Sequence, residues 1–121
     1  MNLKFFAILM YVTLIAHQIE EYMYEFWKVF PLYDMSKDVF IIFNVAVSIF
    51  LIPVWIYLWQ NKLWAINIAR AFSILMVVNG IWHIGWSIYL HRYMPGLITG
   101  IIFIVVFAFF ILRYGRKIYS V

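Results

Sequence analysis

The sequence predicts an all-α, four-span transmembrane helical bundle, and three observations carry that prediction. Of the 121 residues, 68% are hydrophobic and only 12% are charged, with a mean hydropathy of +0.97. A soluble fold of this length still exposes much of its surface and cannot hide so much apolar side chain, so the natural solvent is a bilayer. Clusters of breakers and polar residues cut the chain at about the 20-residue interval that crosses hydrocarbon. A backbone surrounded by lipid must also satisfy its own hydrogen bonds, which makes each apolar segment a helix.

The first span is expected over residues 3–28, ending at Pro31 and the polar stretch Asp34–Asp38. Met1–Lys4 followed by Phe5–Ala16 resembles a signal peptide, but cleavage after Ala16 would put Leu14 where a small residue is needed. The apolar run also resumes through Tyr22–Phe30, so an uncleaved span is expected. The second span covers 39–59 and stops at Gln60-Asn61-Lys62; Pro53 should bend it locally. The third covers 63–90 and ends at the turn-forming run His91-Arg92-Tyr93-Met94-Pro95-Gly96. The fourth covers 97–113, and Gly96 and Gly100 give it a small-residue step for close packing. A single domain over 1–121 accounts for the length.

Lys4, Lys62, Arg70, Arg113, Arg116 and Lys117 fall on the side of both termini, against Lys28, Lys37 and Arg92 on the other. The positive-inside bias therefore favours both termini in the cytoplasm. Trp55, Trp59 and Trp64 near one interface and Trp27 near the other fit an aromatic belt. The net charge of +4 is topological, and no nucleic-acid partner is expected. With no cysteine, disulfides and thiolate metal sites are excluded.

Ionisable residues inside a span cost about 2.5–3.5 kcal/mol each on insertion scales, so they mark paired, solvated or functional groups. His17, Glu20 and Glu21 interrupt the first span within an arc of about 100°, with Thr13, Tyr24 and Lys28 on the same face. Asn79 and His83 stand one turn apart in the third span, with Trp82 and Trp86 beside them. Glu21 and His83 both lie about 10 Å from the outer boundary at 1.5 Å per residue. Asn44 and Thr99 fall near the same level. Polar faces at matching depth imply a shared internal pocket, opening to the non-cytoplasmic side.

His17-Gln18-Ile19-Glu20-Glu21 matches an H-x-x-E-E signature, Asn79-Gly80-Ile81-Trp82-His83 an N-x-x-x-H motif, and Tyr93-Met94-Pro95-Gly96-Leu97-Ile98-Thr99 a Y-x-P-G-x-x-T motif. All three occur in order, and the chain resembles the HXXEE family of small bacterial-type multi-pass membrane proteins over nearly its whole length, which implies a bacterial plasma membrane. The resemblance implies the site residues rather than a reaction.

Four chemistries fit such a pocket. His17 with Glu21 or Glu20, at i,i+4 or i,i+3, can ligate one ion from a single helix, and His83 would complete a His₂Glu set with an open position. The candidate cofactor is then a divalent metal: zinc, iron or manganese. Alternatively, burial and like-charge repulsion favour one neutral carboxylic acid beside one charged base, as proton-moving chemistry on a lipid requires. Trp82 and Trp86 could stabilise a developing cation there. Buried Glu and His also build proton or cation pathways, although the Met1–Thr13 half of the first span offers no polar track. Finally, the same residues could form a satisfied network that sets helix register.

The expected function is an intramembrane enzyme acting on a small apolar or lipidic substrate. Glu20, Glu21 and Asn79 are the candidate catalytic residues. Trp82, Trp86, Tyr93 and Thr99 are the candidate substrate contacts, and His17, Glu21 and His83 the candidate metal ligands. A metal-ion or proton transporter and a structural bundle are the alternatives, with membrane lipid the expected surrounding in each case.

Overall fold

The computed structural model describes residues 2–115; Met1 and the basic residues Arg116 and Lys117 lie outside the described residues. Five helices follow one another: α1 (Leu3–Met23), α2 (Phe26–Val29), α3 (Lys37–Trp59), α4 (Leu63–Tyr89) and α5 (Leu97–Tyr114). All but α2 are long and apolar enough to cross a membrane. The chain is a four-span helical bundle. Asn2 and Ser36 start α1 and α3 as side-chain caps, accepting from the Phe5 and Val39 amides at 2.9 and 3.1 Å. Pro53 is accommodated within an α3 that continues to Trp59.

The long helices close into a ring in which α1 packs on α3 and α5, and α4 packs on α5 and more thinly on α3. α4 and α5 form the tightest pair because two glycines face each other. A Cβ built on Gly80 would lie 2.3 Å from the Gly100 carbonyl oxygen. Toward the chain-terminal end, the ring is filled by Phe6, Met10, Leu58, Phe107 and Phe110, all essentially inaccessible. Phe6 meets Phe110 and Tyr114 edge-on, at centroid distances of 5.5 and 5.6 Å.

The first span is shorter than residues 3–28. α1 ends at Met23, Glu25 adopts a left-handed conformation (φ 55°), and α2 sets off in a new direction. The left-handed residue costs about 1–2 kcal/mol. The break lets Phe26 turn inward against Phe30, Phe40, Trp82 and His83. Such ring pairs contribute about 0.5–1.5 kcal/mol each, enough together to offset the strain.

The α5 helix carries no capping side chain of its own at its start, where Gly96 adopts φ 94°. Its two ends are completed by other helices. Glu20 of α1 receives the amides at the N-terminus, and Arg70 of α4 donates from Nη2 to the Gly115 carbonyl at 3.0 Å. A carboxylate at the positive end and a guanidinium at the negative end both complement the helix dipole.

Candidate functional site

The polar residues meet at the α4–α5 turn end of the ring, where α1 and α4 approach across its centre. The His17 and His83 rings stand edge to face with centroids 5.0 Å apart. What permits this approach is Gly96. A Cβ there would fall 2.6 Å from His83 Cε1 and 2.8 Å from His17 Cε1, so no side chain fits. Phe103 backs His17, and Phe26 with Trp82 backs His83.

Glu20 and Glu21 are neighbours in sequence with opposite surroundings. Glu20 accepts from the amides of Gly96 and Thr99 at 2.8 Å each, and from Ile98 at 3.3 Å. The Thr99 hydroxyl donates to it at 2.7 Å, and the Tyr93 hydroxyl donates to it as well. It is therefore an N-cap delivered from another helix, satisfying amides that α5 leaves orphaned. Burial, then the hydrogen bond to this carboxylate, pushes the Tyr93 phenol above its ordinary range, so it remains a donor.

Glu21 accepts no hydrogen bond among the described residues. Its partners are imidazoles: Oε1 lies 3.0 Å from His17 Nε2, and Oε2 lies 3.9 Å from His83 Nε2. The Thr99 network decides what His17 presents. The single Thr99 hydroxyl proton is committed to Glu20, so the Thr99 oxygen accepts from His17 Nδ1 at 2.7 Å. That makes Nδ1 a donor, so the neutral ring carries its lone pair on Nε2. Nε2 of His17 and both ring nitrogens of His83 are buried without a hydrogen-bond partner. With the ring neutral, the 3.0 Å His17–Glu21 separation sets a lone pair against a carboxylate, an arrangement that a proton or a metal cation relieves.

One ligand atom from each of His17, Glu21 and His83 lies within 4.8 Å of the others, and all three residues are buried. The Glu20–Thr99–His17 chain has the form of a metal-site support, in which the non-ligating nitrogen is held so that the other points at the ion. The chain matches the model of a family described as a protein of unknown function with HXXEE motif, over residues 8–111. It belongs to that family. No curated protein and no solved structure matches it. Of the motif residues singled out in the sequence, His17, Glu20, Glu21, His83, Tyr93, Gly96 and Thr99 meet in this cluster, whereas Ile19 and Ile81 face outward.

Asn79 lies beside the cluster rather than in it. It lines a cavity with His17 and Glu21, and its Oδ1 is buried and unpartnered. Trp82 packs behind His83, and Trp86 packs on Trp82 and Tyr89; neither lines the cavity. Tyr93 and Thr99 direct their hydroxyls at Glu20. Lys28 is turned away and pairs with Glu25 at the surface, 2.9 Å apart.

Sequence reasoning missed the tie between α1 and α3. Gln18 donates to the Asn44 carbonyl at 3.2 Å and accepts from the Ser48 hydroxyl at 2.9 Å. The available signal was Asn44 and Ser48 standing one turn apart on an otherwise apolar helix. The expected opening is also different. The α4–α5 turn, with Met94 fully buried, and Phe26 cover the end of the bundle, while the cavity lies along the α3–α4 side.

Proposed function

We propose that His17, Glu21 and His83 bind a divalent metal and that the protein is an intramembrane, metal-dependent enzyme acting on a small apolar or lipidic substrate. The observation that carries this is two buried imidazole nitrogens, Nε2 of His17 and of His83, beside a Glu21 carboxylate that accepts no hydrogen bond among the described residues. Two histidines and one glutamate form a donor set used for zinc with an open coordination position, and iron or manganese suit the same ligands. A metal there supplies Lewis acidity and a water nucleophile at neutral pH. Asn79, beside Glu21 on the cavity wall, positions the substrate's polar group.

The other readings have less support. A transporter needs a continuing polar track, but beyond the cluster the bundle is closed by Met10, Phe103, Phe107 and Leu58. A register-setting network would pair Glu21 with donors, as it pairs Glu20. The charge bias supports both termini inside, with the cluster in the non-cytoplasmic half of the membrane.

Elemental analysis of untagged protein, purified in mild detergent without chelators, tests the proposal. About one metal per chain is expected, lost in folded His17→Ala, His83→Ala and Glu21→Ala variants. No metal after loading with zinc, iron and manganese overturns it.

A further inference from the structure

The cavity beside the cluster has a shape and polarity of its own. It measures about 690 Å³, within the range of small-molecule sites, and runs between α3 and α4, the thinly packed side of the ring. Along α4 it extends from Ile68 to Asn79, about 16 Å at the helical rise. Its floor is apolar, from Leu14 and Leu51 to Phe72 and Phe103. Its polar groups (His17, Gln18, Glu21, Asn44 and Asn79) gather at one end.

Its long side faces the surroundings of the bundle rather than either end. Phe43, Phe50 and Leu75 border it and are 66%, 70% and 61% exposed, which on membrane-spanning helices means exposed to lipid. Ala46 on α3 and Ala71 on α4 also line it; the small side chains there leave room that larger residues would fill. At the polar end Phe26 covers His83 and Glu21 is only 7% exposed, so a bulky headgroup has no room.

We infer that this groove seats a single-chain lipid with a small carbonyl head, entering sideways from the bilayer between α3 and α4. The hydrocarbon chain lies along α4 from Asn79 toward Ile68. The carbonyl accepts from the Asn79 amide nitrogen beside the His17–Glu21 edge, where its role as substrate rests on the metal proposal. The seat of the chain itself does not depend on a metal. A two-tailed phospholipid fits poorly, because Phe26 packs on His83 and Glu21 is buried where its headgroup would lie.

Photo-cross-linking in lipid bilayers distinguishes the occupants. A long-chain fatty acid carrying a mid-chain diazirine is compared with phosphatidylcholine carrying the same group on one tail, and labelled peptides are mapped by mass spectrometry. The fatty acid should label Phe72 and Leu75 well above Val105 and Leu112, lipid-exposed positions on α5. Phosphatidylcholine should show no such preference. Ala71→Trp should reduce the groove signal to the α5 level while metal content stays at the wild-type value. Equal labelling of groove and α5 face by the fatty acid, or equal preference with both probes, overturns the inference. So does an inter-chain cross-link through the groove that Ala71→Trp abolishes, which would make a second copy the occupant. Metal content is read separately: metal without selective labelling defeats the groove alone, and selective labelling without metal defeats the metal site alone.

Discussion

Glu20 and Glu21 differ by one position on the same helix, yet each belongs to a different part of the molecule. Glu20 is turned to the α4–α5 turn, where five donors converge on it. Glu21 is turned to the cavity, where it meets two imidazole nitrogens and accepts no hydrogen bond among the described residues. Chemical identity and depth are shared, so rotation about the helix axis by about 100° is what separates them. One carboxylate holds the fold together so that its neighbour can be left without compensation. Thr99 connects them, because it fixes the helix start to Glu20 and the tautomer of His17 at once.

Removing each carboxylate should give opposite results. Glu20→Ala orphans three buried or part-buried amides at about 1–3 kcal/mol each, so a loss of at least about 3 kcal/mol is expected in detergent unfolding. Glu21→Ala removes a buried carboxylate that accepts no hydrogen bond among the described residues; compared metal-free, stability should stay near wild type, while binding at the proposed metal site should be lost. Equal destabilisation by both would break the comparison.

Thr99→Val sharpens it. The variant keeps the shape but frees His17 Nδ1, and metal affinity should fall about 10–100-fold in competition titrations, as for other outer-shell changes. The stability cost is about 1 kcal/mol, and Thr99→Ser should restore both.

Tyr93→Phe should produce the smallest effect, about 1 kcal/mol, with the metal retained. It also carries a pH signature. A phenol raised in the folded state contributes fully below its unfolded value near pH 10, and that contribution is lost only as pH rises through the raised one. Alkaline unfolding should therefore show a Tyr93-dependent decline that is absent from the variant.

Much of this was legible in the chain. Four apolar segments of spanning length and their breakers define the long helices, since span length and backbone satisfaction are local requirements. The face shared by His17, Glu20 and Glu21, and that of Asn79 and His83, follow from helical periodicity. The end of α1 was not legible. Nothing around Tyr24-Glu25 is a breaker, and the left-handed turn exists because Phe26 finds partners on α3 and α4. Gly96 reads as a turn residue from its place after Pro95, but its lack of a side chain is also required by two rings from distant helices.

By itself, then, the sequence determined the class, the four spans and the polar residues that must share a level in the bundle, because each depends on composition or on spacing within one helix. Only the tertiary structure decided which glutamate caps α5, which nitrogen of His17 is left free, and on which side the cavity lies. Those outcomes depend on how α1 is rotated toward α5 and how loosely α3 meets α4. Glu20 and Thr99 are 79 residues apart, and no local pattern encodes a hydrogen bond across that separation.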